Sequence, residues 1–202
     1  GMGVPVAKFF GAKDYSVMRR YVMNAAYLSI MIAAVLTVVT CLLCGPILTW
    51  MQTPEDIYQG AYDYLFVIFL GIPFTILYNV VSAIIRAMGD SKTPFYFLVF
   101  SALLNVVLDL LFIIVFQMGV AGAAWATILS QAAAGVLCFL FMKKRYDILT
   151  FSKQERKLEL SYIKRLMIMS VPMGLQYSIT AIGSIMLQSA VNMLGSLYVS
   201  AY

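Results

Sequence analysis

The chain alternates long apolar runs with short polar breaks, and five of the runs approach or exceed the roughly 20 residues a helix needs to cross about 30 Å of hydrocarbon. The first predicted span covers 21–48 and ends at "CGPILTW", which places Trp50 as an interfacial anchor. In the second, Thr53 is placed to cap, Pro54 stands at the first helical position, and Glu55 and Asp56 occupy the first turn, where acids favour the positive helix end. That helix extends to Met88. Pro73, near its middle, removes one backbone hydrogen bond and predicts a bend.

The polar turn "RAMGDSKTP" leads to a third span, 95–116. The short connection "QMGVAG" then leads to a fourth, 120–141, so the two form a tight antiparallel hairpin. A charged segment, "KKRYDILTFSKQERKLELSYIKR", follows and reads as a linker between two parts of a larger whole. It precedes a fifth span beginning at Leu166, with Pro172 near its start. The fold class expected is an all-α polytopic membrane protein with five transmembrane helices.

Composition agrees with this pattern. Of the 202 residues, 62% are hydrophobic and 11% are charged, against about 25% charged in an ordinary soluble domain. The net charge of +5 does not point to nucleic acid, because the basic residues sit in loops. Four precede the first span (Lys8, Lys13, Arg19, Arg20), Arg86 and Lys92 lie between the second and third, and eight lie between Lys143 and Arg165. These are all 14 Lys and Arg of the chain. The other two connections carry none, so the basic loops are expected on the cytoplasmic side of an inner (plasma) membrane.

Cys41, Cys44 and Cys138 lie inside apolar runs, and "CLLC" has no second ligand pair, so packing is expected for all three. The chain has no histidine, the commonest metal ligand and acid/base group. It also lacks a Gly-x4-Gly-Lys-Ser/Thr phosphate loop, so no ATP use is expected of this chain. Neither an enzyme nor a resident cofactor is expected. "GMGVPVAKFFGAKD" holds only the end of an apolar run, and Tyr202 closes directly on the fifth span, which reads as a piece of a larger protein.

The candidate chemistry lies in the third and fourth spans. An exposed Asp at the centre of a lipid-crossing helix costs at least about 2.5 kcal/mol, so such acids face a bundle interior or a wet cavity. Asn105 and Asp109 are spaced i,i+4 and share a helix face. If the hairpin centres on Met118, Asp109 lies at the depth of Thr127, and Asn105 at the depth of Gln131. A carboxylate with amide and hydroxyl oxygens suits a hard cation such as Na+, or a proton. The alternative is that these groups only hydrogen-bond one helix to the other, at typically about 0.6 kcal/mol. Asp109 favours coupling, because a neutral amide would serve a structural bond at lower cost. Asp63, close to the outer interface, reads as solvated or snorkelling, and Tyr62 and Tyr64 as part of an aromatic belt. The 13 Met residues read as packing or lipid-facing.

Four stretches resemble the multidrug and toxic compound extrusion (MATE) family: "GAKD" followed by "RR", "IIRAMGDSKTPF", "NVVLD" and "GVAGAAWATILSQ". The likeness covers nearly the whole chain and implies helices three to seven of a two-lobe, twelve-helix transporter. Residues 1–20 would be the end of a preceding helix and a cytoplasmic loop. Residues 21–142 would be four helices of the amino-terminal lobe, 143–165 the inter-lobe linker, and 166–202 the first helix of the second lobe. The resemblance implies a secondary antiporter that exports organic cations or drugs in exchange for Na+ or H+, with the lipid bilayer and the remaining helices as its partners. In the family's DinF-like branch an Asn and an Asp one turn apart and a Thr on the next helix build the cation site. These match Asn105, Asp109 and Thr127, with Gln131 as a possible supporting group. The fifth span has Gln176 and Gln188 but no acid, unlike the NorM-like branch.

A lipid-linked precursor flippase or polysaccharide exporter of the same superfamily would share the architecture. It would be favoured by basic residues inside the spans, and there are none. An intramembrane protease would need paired aspartates or a Ser/His or Ser/Lys pair, which a lone Asp109 does not supply. A structural scaffold would not need the Asp.

Overall fold

A computed structural model describes residues 1–193, so residues 194–202 of the expected last segment lie outside it. Among the described residues there are seven α-helices: α1 (Gly3–Gly11), α2 (Tyr15–Trp50), α3 (Glu55–Leu70), α4 (Ile72–Ala87), α5 (Lys92–Leu110), α6 (Gly119–Arg145) and α7 (Leu160–Met193). A π-helical turn, Leu111–Val115, continues α5, and a 3-10 turn, Asp147–Leu149, follows α6. The five predicted spans are all present. Helices α2, α5 with its π turn, α6 and α7 are each long and apolar enough to cross a membrane, and α3 with α4 makes a fifth, bent by 41°.

The breaks differ from expectation in instructive ways. α2 begins six residues before position 21, where the Asp14 side chain accepts from the Val17 amide at 3.3 Å and satisfies one free donor of the first turn. Thr53 does not cap α3; Pro54 occupies that position without a side-chain bond. The Thr53 amide is engaged in closing α2 instead. Gln52 adopts a left-handed φ of 53°, its amide bonds Thr49, and the Thr53 amide reaches back to Leu48 at 3.2 Å. Lys13 closes α1 and Gly89 closes α4 in the same way.

The bend expected at Pro73 falls two residues earlier, at Gly71, with Pro73 in the first turn of α4, where its missing N–H costs no helical bond. Gly71 is needed for packing too: a Cβ there would lie 2.5 Å from Ile128 Cγ1 on α6. The broken span can therefore press its corner onto α6.

α6 packs against α3, α4 and α5 and is the centre of the bundle. Its buried residues are mostly small, including Gly122, Ala124, Ala126, Ser130, Ala134 and Gly135. At Gly135 a Cβ would already touch the α4 backbone, 3.4 Å from the Phe74 carbonyl oxygen. Small side chains let backbones approach this closely where lipid offers no hydrophobic gain between helices. The larger buried cluster sits at the basic-loop end, where Met18, Tyr21, Leu28, Ile85, Met142 and Leu166 meet. α5 stays almost wholly uncovered, with only Pro94 buried.

The charged connector is not a loose tether. Glu155 is 5% exposed, and its Oε1 accepts from Arg19 on α2 at 2.8 Å. Arg19 also donates to the Ile148 carbonyl. Asn24, fully buried, donates to the Lys157 carbonyl at 3.3 Å and accepts from the Glu159 amide at 2.8 Å. Tyr27 donates to the Arg156 carbonyl at 2.8 Å. The Arg19 guanidinium, with help from Ser152, holds the Glu155 carboxyl at about 2. A second polar latch joins the hairpin ends. Asp90 accepts from the Thr93 hydroxyl at 2.6 Å and from the Tyr146 hydroxyl at 2.9 Å. The Thr93 bonds hold the Asp90 carboxyl below the usual carboxylate range, while burial and the neighbouring Asp90 push the Tyr146 phenol up to about 12.

Candidate functional site

α5 and α6 run antiparallel through the turn at Gln117, whose φ is 52°. The structure brings Asn105 and Thr127 together: the Asn105 amide donates to Thr127 Oγ1 at 3.4 Å. Thr127 in turn donates to the Ala123 carbonyl at 3.0 Å, and Ser130 donates to the Thr127 carbonyl. The expected register is corrected here by one helical turn. Thr127 meets Asn105 and not Asp109, and Gln131 bonds Thr75 of α4 and not Asn105.

The π turn accounts for the direction of this shift. Its wider i to i+5 bonding, seen where the Phe116 amide reaches Leu111 at 3.0 Å, places more residues in less axial rise. A residue of α5 at a given depth therefore lies farther in number from the turn than its partner on α6. Counting equal steps on both arms overshoots.

Asp109 stays one turn beyond Asn105 on the same face of α5. Its Oδ1 is buried and has no hydrogen-bond partner among the described residues. A buried carboxylate oxygen left unpaired is costly, and it marks the position where a cation, a proton or a partner group would be held. Asn105 Oδ1 and the lone pairs of Thr127 Oγ1 supply neutral oxygen donors a turn away, a hard donor set suited to Na+.

Sequence reasoning missed Thr75. It donates to Gln131 Oε1 and brings α4 into the site. The signal was available, since Thr75 and Asn79 form an i,i+4 polar pair in a span, as Asn105 and Asp109 do. Asp63 is exposed and accepts from Gln59 at 3.0 Å, in keeping with a solvated role. Tyr62 stacks between Tyr58 and Phe66. Cys44 and Cys138 are fully buried, and no cluster of three or more acidic, Cys or His groups suited to a metal exists among the described residues.

Comparison with known proteins now decides the family. The MatE family model matches residues 1–111. The chain belongs to the MATE family. Among similar MATE proteins, "Probable multidrug resistance protein YpnP" of Bacillus subtilis (strain 168) is 40% identical over 158 residues, 77% of this chain and 35% of its own. "Probable multidrug resistance protein YoeA" of the same organism is 29% identical, over 100% of this chain and 45% of its own. "Multidrug export protein MepA" of Staphylococcus haemolyticus (strain JCSC1435) is 24% identical over the same shares. The chain thus spans between a third and a half of the length of these relatives. In fold it matches a crystal structure of a MATE protein in the bent conformation with a TM-score of 0.87, at 23% identity, over 99% of this chain and 45% of that one. A MOP superfamily transporter from Pyrococcus furiosus, described by a reversed polarity of its binding pocket, matches with a TM-score of 0.81 at 21% identity, over 99% of this chain and 46% of that one. Four of the chain's described helices are long and apolar enough to cross a membrane, in keeping with that family.

Proposed function

We propose that this chain is part of a secondary active exporter of small organic cations or drugs, in which Asp109, Asn105 and Thr127 form the site that exchanges Na+ or H+ for substrate. The observation that carries this reading is the buried, unpartnered Oδ1 of Asp109, one turn from the Asn105 to Thr127 bond. The names of the curated relatives, a probable multidrug resistance protein and a multidrug export protein, support drugs as the substrates.

In this reading Asp109 supplies the charge, while Asn105 and Thr127 supply neutral oxygens and fix α5 against α6. Two lobes rock about a site near mid-membrane, the remaining helices of the transporter completing it. Ion exchange drives the cycle because the site binds the ion with different affinity in the two states. The loops carrying Lys and Arg face the cytoplasm of the inner membrane, so Lys144 lies inside and Glu55 outside.

The test is Asp109→Asn in the full-length transporter, which keeps shape and hydrogen bonding but removes the charge. Insertion into the membrane stays normal, and gradient-driven drug efflux is lost. Efflux that still follows the Na+ or H+ gradient would reduce Asp109 to a structural group.

A further inference from the structure

Below the Asn105 and Thr127 pair, toward the basic-loop side, α4, α5 and α6 enclose a cleft of about 210 Å³. Its polar lining is Thr75 and Asn79 from α4, Ser101 from α5 and Gln131 from α6, with the Tyr78 ring on one wall. We propose that this cleft is the hydrated step through which the coupling ion passes between the Asn105–Asp109–Thr127 cluster and the basic-loop side, with the Thr75 to Gln131 hydrogen bond as its latch. The proposal rests on the coupling role given above to Asp109.

Three helices bring polar groups to this zone at the same spacing. On α5, Ser101, Asn105 and Asp109 follow at i,i+4 intervals, so a ladder rises about 12 Å along one face from the cleft to the carboxylate. On α6, Gln131 and Thr127 form the facing rungs, and the Asn105 to Thr127 bond ties the two arms midway. On α4, Thr75 and Asn79 complete the wall, the Asn79 amide donating to the Thr75 carbonyl at 2.8 Å.

The chemistry of the lining suits passage better than storage. All four polar groups are neutral hydroxyls or amides, which replace part of an ion's hydration without the deep well a second carboxylate would make. The cleft has room for several waters. The Thr75 hydroxyl donates to Gln131 Oε1, and among the described residues nothing accepts from the Gln131 amide nitrogen. That nitrogen is free to bind water in the cleft. Asn79 is exposed, although it sits two turns inside a membrane-crossing helix. A polar amide open to hydrocarbon at that depth is unfavourable, so this face meets water or the rest of the transporter.

The experiment uses the full-length transporter in a cysteine-free parent, with Ser101→Cys in the cleft and Leu103→Cys on the exposed apolar face of α5 as control. A membrane-impermeant methanethiosulfonate reagent is added from the basic-loop side of sealed vesicles. A thiol reached by water ionises and reacts, whereas one in hydrocarbon does not, so Ser101→Cys reacts roughly tenfold faster than the control. Adding Thr75→Val, which removes the latch, speeds it further. Reaction of Ser101→Cys no faster than the control overturns the proposal, as does reaction only from the opposite side. Should Ser101→Cys fail to reach the membrane, Asn79→Cys reports on the same cleft by the same criteria.

A second arm separates the path from the coupling site. Asn79→Leu, in the cleft wall and outside the cation cluster, slows ion-driven export while leaving equilibrium ion affinity unchanged, read from the fluorescence of Trp125 two residues from Thr127. Asp109→Asn abolishes the affinity itself. An unaltered export rate in Asn79→Leu sinks the path even if Asp109 is essential. Normal efflux in Asp109→Asn sinks the coupling reading even if the cleft is wet.

Discussion

Arg19 donates to one oxygen of Glu155 through two nitrogens, Nε at 3.0 Å and Nη2 at 2.8 Å, across 136 residues of sequence. The contact fastens the connector after α6 to the start of α2. Charge-assisted pairs in such a fork are strong, and Glu155 is nearly buried while Arg19 keeps some access to solvent. Losing one partner therefore costs about 2 kcal/mol, below the 3–5 of a fully buried pair. Arg19→Ala should free the backbone around Lys153, Arg156 and Lys157, whose side chains are already exposed, and trypsin added to the basic-loop side should cut there several-fold faster than in the parent. Unchanged cleavage would mean that Asn24 and Tyr27 hold the segment without the ion pair.

The same pair predicts a pH dependence with a definite sign. Glu155 is held at about 2, below its ordinary 4.5. A carboxyl depressed on folding contributes stability above the unfolded value and loses it as pH falls through the folded one. The stability difference between the parent and Glu155→Gln in detergent should be constant from neutral pH down to about 4.5 and shrink toward zero near pH 2. A difference that grows on acidification would contradict the assignment.

Thr127 should act through its oxygen and not through its size. Thr127→Val keeps the branching but leaves the Asn105 amide without its acceptor, at a cost of about 1–3 kcal/mol where the amide is buried. Thr127→Ser keeps the oxygen. In transport assays across a range of Na+ and pH, Val should weaken the cation dependence and Ser should largely retain it. If the two substitutions behave alike, the Asn105 to Thr127 contact has no part in coupling.

Gly71 offers a purely structural test. Gly71→Ala sets a Cβ against Ile128, which is 5% exposed and has little room to move. Overpacking of this kind costs about 1–3 kcal/mol. The thermal midpoint should fall in Gly71→Ala, and the fall should be smaller when both proteins compared also carry Ile128→Ala, which removes the clashing atoms. An equal fall in both backgrounds would place the penalty in the backbone at the bend.

Much of this was legible in the sequence because it is local. Apolar runs, the i,i+4 pair Asn105 and Asp109, and the small residues of α6 declare helices and faces without reference to anything distant. What escaped depended on pairs far apart in sequence or on departures from regular helix. The polar connector gives no periodic sign that Glu155 will find Arg19, or that Asn24 will receive two backbone groups from positions 157 and 159. Gly71 outranks Pro73 as the corner because Ile128 presses on it, a fact about α6. The π turn at Leu111–Val115 has no marker among its five apolar residues, yet it decides which polar groups meet.

The clasped connector also has a mechanical meaning. The Glu159 amide is gripped by Asn24, and α7 starts at the very next residue, so there is no slack between α2 and α7. Tyr162 rests edge-on against Tyr21, and Leu166 is fully buried beside it. The first turns of α7 are thus a crank fixed to α2, and any rotation of α2 is delivered to α7 as torque. The first weak point along that shaft is Pro172, whose missing N–H leaves the Ile168 carbonyl without its helical bond. A bend in α7 is thereby directed past its clasped first turns, to Pro172 and the stretch whose described side chains stand almost all exposed, instead of dissipating in a loop.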